Sequence, residues 1–226
     1  KINGKEVIKY VWEKANLSKI AEEIIVATDD KRIKNFCENE GIKVLMTSKS
    51  HKTGTDRIYE VSKKVNSDIY INLQGDEPLI DPKNIDKVAL CLKKNMSKKF
   101  EIATGYSKVK NLKKNNLESS VVYLLKSNNQ KACVFFRGYN FKSIYKWSKF
   151  GLKPFKHIGL YAYTKKVLKR FNNYKQSSSE ILDSLEQMRF IENKEKIVCT
   201  EITGSDFAVD YPSDIKKIQK FLNKKK

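Results

Sequence analysis

Apolar and polar positions follow two different rhythms along the chain. Val7, Ile8, Val11, Trp12 and Ala15 recur at helical spacing and predict a first helix that ends near Asn16. Ile24-Ile25-Val26-Ala27-Thr28 is an apolar run of strand length, and Asp29-Asp30 opens a helix carrying Ile33, Phe36 and Cys37. Lys43 to Met46 predicts a second strand, followed by a turn and a helix from about Asp56 to Val65. Asp68 to Gln74 predicts a third strand and Pro82 to Lys93 another helix. Strands alternating with helices of this length predict an α/β fold whose sheet is mostly parallel and doubly wound.

From residue 101 the rhythm changes. Ser120 to Leu125, a Ser-Asn-Asn-Gln turn and Ala132 to Phe136 predict an antiparallel hairpin, and a loop rich in Lys, Tyr, Phe and Trp follows. This inserted region covers about residues 118–155. Beyond it come a strand His157 to Tyr163, helices Thr164 to Phe171 and Ser179 to Ile191, a strand Ile197 to Ile202 and a helix after Pro212. No repeat and no Gly/Ser linker divides the chain, so residues 1–226 read as one domain.

Composition narrows the classes. A 40% apolar fraction with 11% aromatics is enough for a core, which excludes a disordered polybasic tail. The net charge of +20 points first to nucleic acid or an anionic membrane. The residue type argues against that. Arg32, Arg57, Arg137, Arg170 and Arg189 are the only arginines, and every other basic residue is lysine, a flexible point charge without the planar fork that grips phosphates and bases. The excess reads as lysine-rich coding rather than a nucleic-acid surface. Cys37, Cys91, Cys133 and Cys199 form no Cys-x-x-Cys pair and read as reduced thiols. No apolar run approaches the roughly 20 residues that span a bilayer, and the first residues form no secretory h-region, so the expected location is the cytoplasm, without stable membrane insertion.

The informative positions are those that lysine avoids. Val65 to Pro82, Gln176 to Asn193 and Ile197 to Ile215 are lysine-free. Each holds acidic residues: Asp76 with Glu77, Glu186, and Asp210. In Asn72-Leu-Gln-Gly-Asp-Glu-Pro78 a buried strand runs into Gly75 and stops at Pro78, which sets Asp76 at the carboxyl end of a strand, where open α/β sheets bind ligands. Asp76 and Glu77 can hold a cation, or form a turn and cap the next helix. Asp210, just before Pro212, reads on its own as a helix cap. Period-two alternation places His157, Gly159, Tyr161 and Tyr163 on one face and Ile158, Leu160 and Ala162 on the other. On the helix after Ser179, Ile181, Leu182, Leu185 and Met188 are the expected buried stripe, with Glu180, Asp183, Glu186 and Gln187 turned away from it.

Five segments together are more specific than any one alone. His51-Lys-Thr-Gly-Thr-Asp-Arg57-Ile, Asn72-Leu-Gln-Gly-Asp-Glu-Pro78, Lys156-His-Ile-Gly-Leu-Tyr-Ala-Tyr163, Leu185-Glu-Gln-Met-Arg189 and Val209-Asp-Tyr-Pro212 resemble, in order and approximate spacing, the 3-deoxy-manno-octulosonate cytidylyltransferases, also called CMP-Kdo synthetases. The resemblance runs over essentially the whole chain. It implies a single-domain Rossmann-like nucleotidyltransferase fold and transfer of a cytidylyl group from CTP to the sugar acid Kdo, giving CMP-Kdo and pyrophosphate for lipopolysaccharide synthesis. By matching position it implies that Asp76 and Asp210 hold Mg²⁺ and are catalytic, and that Thr53, Gly54, Thr55 and Arg57 lie along the nucleotide. Gln74, His157, Tyr161, Glu186 and Gln187 would line the Kdo pocket, with Arg137 near the sugar carboxylate, although Phe136 replaces the small hydroxyl residue usual before it.

The resemblance also implies a homodimer, through the hairpin and aromatic loop around residues 120–150. The family opens with a strand and an Ile-Pro-Ala-Arg-x-x-Ser-x-Arg-x-Pro-Gly-Lys loop that holds the nucleotide, and Lys1-Ile-Asn-Gly-Lys5 matches the segment after that loop. The expectation is therefore that the 226-residue chain alone binds CTP weakly and is inactive. Three alternatives stand beside the main reading: an 8-amino-Kdo or related acceptor, an inactive fragment, and a non-catalytic polybasic binding protein on the same scaffold.

Overall fold

The computed structural model describes residues 1–109, 121–137, 153–203 and 208–224. The first residue of the predicted hairpin, Ser120, and the aromatic loop at 138–152 lie outside them, as does Phe207. In chain order the elements are α1 (Val7–Ala15), β1 (Val26–Thr28), α2 (Lys31–Asn39), β2 (Val44–Met46), α3 (Gly54–Lys64), β3 (Ile69–Asn72) and α4 (Pro82–Asn95). After a single 3₁₀ turn follow β4 (Ile102–Lys108), β5 (Val122–Lys126), β6 (Ala132–Arg137), β7 (Phe155–Thr164), α5 (Lys165–Asn173), α6 (Ser178–Asp183), α7 (Gln187–Glu192), β8 (Ile197–Glu201) and α8 (Pro212–Asn223). Among the described residues no helix is long and apolar enough to cross a membrane.

The chain divides into two compact units. The first comprises Lys1–Ser50, Leu73–Asp86 and Ser205–Lys226. Its β1 and β2 pair in parallel, Val26 opposite Val44 and Thr28 opposite Met46. Val26, Cys37 and Ile42 are buried there against Ile8 and Trp12 of α1, Phe36 of α2 and Val44 of β2. Asp30 caps α2, its carboxylate accepting the Arg32 N–H at 2.7 Å.

The second unit comprises His51–Asn72 and Lys87–Gly204. Its spine is β7, which pairs antiparallel with β4 along one edge and with β5 and β3 at the two ends of the other. β8 runs parallel to β4, Ile102 opposite Ile197, and β5 and β6 form the predicted hairpin. The hairpin turn is tied to β8 by the Cys199 N–H, which donates to the Gln130 carbonyl at 2.8 Å. Val167, Leu168 and Phe171 of α5 pack fully buried on the sheet with Tyr163, Ile102 and Phe190.

The α/β class follows the sequence, and the pairing is more mixed than strand–helix alternation predicts. Parallel pairs occur at β1–β2 and β4–β8, while β7 is antiparallel to three neighbours. The strand β4 has no counterpart in the sequence prediction. Ile102 to Tyr106 are all buried, so the strand shows no apolar–polar alternation to detect.

The helix predicted over Ser179 to Ile191 is two helices. Ser184 adopts the left-handed conformation at φ 51°, ψ 48°, which ends α6 and resets the helical phase before α7. The expected stripe holds only in its second half: Leu185 is buried and Met188 packs against the core, but Ile181 and Leu182 are 65% and 83% exposed, whereas Glu180, Gln187 and Arg189 are buried.

Candidate functional site

The sequence-predicted residues fall into two groups, one in each unit. In the first unit, β3's continuation through Leu73 and Gln74 turns at Gly75 and leads to Asp76. A side chain at Gly75 would place its Cβ 3.4 Å from Ile8 Cδ1, so the turn passes close over α1. The Glu77 N–H closes the turn on the Gln74 carbonyl at 3.4 Å, and the Val209 N–H donates to the Asp76 carbonyl at 2.9 Å. That last bond joins the two acidic segments through the backbone.

Asp210 follows Val209 directly, and the capping role expected of it falls to another residue. Asp214 reaches back to accept the Tyr211 N–H at 2.9 Å at the start of α8, where Pro212 fills the first helical position. The Asp76 carboxyl is held above the usual carboxylate range, first by burial and then by the negative charge of Asp210, with a hydrogen bond from its own backbone opposing both. A half-buried Asp76 carboxylate repelled by the exposed Asp210 carboxylate makes a hard-oxygen donor pair that suits a divalent cation. Among the described residues no group of three or more His, Cys, Asp or Glu side chains is placed to hold a metal. A pair is enough for Mg²⁺, which keeps several water or phosphate ligands.

In the second unit, one face of β7 carries a row of rings. His157 and Tyr161 lie 5.3 Å apart, Tyr161 stacks on Tyr163 at 5.6 Å, and Phe135 of β6 meets His157 edge-on at 5.0 Å. The face is buried rather than open: Tyr163, Tyr161 and His157 are 0%, 3% and 9% exposed. Burial pushes the His157 imidazole down to about 3, so it is neutral near pH 7, and raises both tyrosine hydroxyls well above their ordinary range.

Two polar atoms on this face stand out. Tyr161 Oη and Asn72 Nδ2 are buried and make no hydrogen bond among the described residues. They belong to cross-strand partners, Asn72 of β3 opposite Tyr161 of β7, and so share a face. Buried donors without partners are costly, and a bound hydroxyl- or carboxylate-rich molecule is one way to satisfy them.

Glu186 completes this group. Its carboxylate accepts the Thr55 N–H at 3.2 Å and the Thr55 hydroxyl at 3.0 Å, at the amino-terminal turn of α3. Tyr163 Oη lies 3.1 Å from the same Thr55 hydroxyl, and because Thr55 donates to Glu186, Tyr163 donates to Thr55. Burial raises the Glu186 carboxyl, the hydrogen bonds from Thr53 and Thr55 pull it down, and the charge of Asp56 raises it. Thr53 caps α3, Gly54 is its first residue and Arg57 lies half-buried one turn on. Gln187 is buried at the start of α7. Arg137 donates from Nε to the Asp183 carbonyl at 2.8 Å and from Nη2 to the Ser184 carbonyl at 3.4 Å, bracing the end of α6 just before Glu186.

Sequence reasoning missed Asn72 and Thr104 as site residues, and gave Asp56, Glu180 and Arg189 no role. Thr104 sits on the undetected β4 and is bonded to His157 at 3.0 Å. Asp56 and Glu180 could have been found: Thr53-x-x-Asp56 and Ser177-x-x-Glu180 are capping-box patterns, and both boxes form.

Comparison with known proteins gives one answer. A family model described as cytidylyltransferase matches residues 1–197. The 3-deoxy-manno-octulosonate cytidylyltransferase of Geotalea daltonii is 36% identical over 227 residues, covering 96% of this chain and 88% of its own. The 8-amino-3,8-dideoxy-manno-octulosonate cytidylyltransferase of a Shewanella species (strain W3-18-1) is 38% identical over 226 residues, covering 98% and 89%. A solved structure of CMP:2-keto-3-deoxy-manno-octonic acid synthetase complexed with CTP superposes with a TM-score of 0.89 at 31% identity, covering 100% of this chain and 91% of that one. A cytidylyltransferase from Leptospira borgpetersenii, 16% identical with a TM-score of 0.64 over 99% of this chain and 78% of its own, shares the fold.

Proposed function

Because the chain belongs to the cytidylyltransferase family, we propose that it transfers the cytidylyl group of CTP to 3-deoxy-manno-octulosonate, for lipopolysaccharide synthesis in the cytoplasm, and works as a homodimer. The observation that carries this reading is the match, over the whole chain at a TM-score of 0.89 and 31% identity, to a CMP-Kdo synthetase complexed with CTP. The acceptor's anomeric oxygen attacks the α-phosphorus of CTP in line, a P–O bond forms, and the bond to the departing pyrophosphate breaks.

No side-chain nucleophile is needed in that reaction, and the residues bind and orient. Asp76 and Asp210 would hold Mg²⁺, which when bound offsets the phosphate charge and acidifies the attacking hydroxyl. The mutual repulsion that raises the Asp76 carboxyl fits such a site. Tyr161 and Asn72 offer donors and neutral His157 the acceptor Nδ1, which match a polyol without adding charge, and Glu186 accepts from a hydroxyl. Thr53, Gly54, Thr55 and Arg57 are assigned to the nucleotide, and Gln74, Gln187 and Arg137 to the sugar acid.

A second acceptor is favoured by a specific observation. Relatives named for 8-amino-3,8-dideoxy-manno-octulosonate are 37–38% identical to this chain, on a par with those named for the unsubstituted sugar. Pyrophosphate release from CTP with each sugar acid, alone and in competition, by this chain and by a version carrying the family's strand and nucleotide loop ahead of Lys1, tests both. One of the two acids is expected to support release, and Asp76→Asn is expected to lower the specificity constant by about 100-fold or more, the scale of removing several kcal/mol of charge stabilisation. No release with either acid, or equal rates in Asp76→Asn, overturns the proposal.

A further inference from the structure

The two capping boxes of the second unit meet at one side chain. At the start of α3, Thr53 Oγ1 accepts the Asp56 N–H at 3.2 Å and Asp56 Oδ2 accepts the Thr53 N–H at 3.1 Å. At the start of α6, Ser177 Oγ accepts the Glu180 N–H at 3.1 Å and Glu180 Oε2 accepts the Ser177 N–H at 3.3 Å. Each box leaves its carboxylate with further acceptor capacity, and Arg189 takes up both. Its Nε donates to Glu180 Oε2 at 2.7 Å, its Nη2 donates to Glu180 Oε1, and its Nη1 lies 3.6 Å from Asp56 Oδ1. Arg189 is 4% exposed, and its guanidinium carbon lies over the Phe171 ring, 4.0 Å from its centroid.

Glu186 stands between these anchors. It precedes Arg189 by three residues, in the same helical turn, and its own hydrogen bonds go to Thr55, the residue before Asp56. We propose that Arg189 is a positioning residue, a clasp between the caps of α3 and α6 that seats the Glu186 carboxylate on the first turn of α3. Only a planar fork spans both carboxylates, because the bidentate bond to Glu180 fixes the plane that carries Nη1 toward Asp56. The inference rests on the reading that Glu186 meets the sugar acid, and extends it to a residue that touches no substrate.

The charges that face Glu186 are few. Asp56 faces it from α3, Arg189 from its own turn, and the Tyr161 and Tyr163 hydroxyls from β7. Removing the guanidinium leaves Asp56 unopposed, which favours the protonated form of Glu186.

Arg189→Lys and Arg189→Gln test this with two readouts. In Arg189→Lys, which keeps the charge and loses the fork, the KM for the sugar acid is expected to rise about tenfold while the KM for CTP stays within about twofold, the size of one charge-assisted hydrogen bond. In Arg189→Gln the carboxyl titration of Glu186, followed by ¹³C NMR and assigned with Glu186→Gln, is expected to move up by about one pH unit. Should Arg189→Gln not fold, Asp56→Asn replaces it and is expected to move the same titration down. An ion pair that serves only stability would lower the melting temperature and leave both the sugar-acid KM and the Glu186 titration unchanged, which overturns the proposal. A wild-type chain that transfers to no sugar acid overturns the proposed function instead, and the titration still decides the clasp.

Discussion

His157 shows how one side chain can be read down to its proton. Thr104 Oγ1 donates to the Leu160 carbonyl at 3.0 Å, so the 3.0 Å contact with His157 Nε2 requires the imidazole to carry its hydrogen on that nitrogen. The ring is enclosed by Phe135 and Tyr161, and burial depresses its pKa to about 3. In the unfolded chain the same group titrates near 6.5, so between about 6.5 and 3 the unfolded state binds the proton first. The stability that neutral His157 contributes is therefore complete above about pH 6.5 and is lost as pH falls toward 3. Between pH 6.5 and 5 the loss is about 2 kcal/mol at most. Urea midpoints measured from pH 7 to 5 should fall more steeply in the wild type than in His157→Gln, which keeps a donor but has nothing to titrate. Parallel slopes would show that the ring is not held neutral by burial.

At the scale of elements, β4 is the least legible part of the fold and the most constrained. Its register against β7 shifts between Thr104 and Gly105, which lets Thr104 Oγ1 bond inward to β7. A Cβ at Gly105 would lie 2.1 Å from Ile202 Cδ1 and 2.8 Å from Ile202 Cγ1, so the glycine is there for closeness of approach. Gly105→Ala is expected to destabilise by about 1–3 kcal/mol. Ile202→Val, which removes Cδ1, should recover part of that loss in a double-mutant cycle by urea unfolding. Strict additivity would place the cause elsewhere.

The same strand explains what the sequence could and could not reveal. The helices α1, α2 and α5 declared themselves because each has one wet and one dry face, and Asp30, Thr164 and Pro212 mark real helix starts. β4 is dry on both faces and small at its centre, so no period survives. The break at Ser184 was hidden for a different reason. Serine is not a residue that pattern reasoning assigns to the left-handed region, and the buried Glu180–Arg189 pair inverts the usual sorting of charged and apolar side chains. The candidate acids and the ring-bearing face of β7 were legible from motif and alternation, whereas Asn72 became visible only once the register with Tyr161 was known.

For the whole molecule the open question is what a net charge of +20 does. The arginines answer it more clearly than the lysines. Arg32 binds Asp30, Arg170 is clamped by Glu101 and Glu195, Arg189 is buried on Glu180, and Arg137 holds the carbonyls that end α6. These four planar forks are thus committed to the chain's own acceptors. Lysines such as Lys5, Lys64, Lys108 and Lys217 pair with nearby acids in bridges exposed enough to contribute little, and they remain a solvated, screened charge. Such a surface attracts polyanions at low salt, and those four arginines, already paired within the chain, offer no fork with which to hold them. Binding to random duplex DNA is therefore expected to be weaker than about 10⁻⁵ M at 150 mM salt, and excess DNA should leave cytidylyl transfer unaltered. The rival reading, a polybasic binder on an idle scaffold, requires tight binding whose salt slope reflects six or more phosphate contacts and which survives Asp76→Asn unchanged. Filter binding across a salt series, run in parallel with pyrophosphate release for wild type and Asp76→Asn, separates the two, because a catalyst with a lysine-rich surface loses only its activity to that substitution and a binder loses nothing.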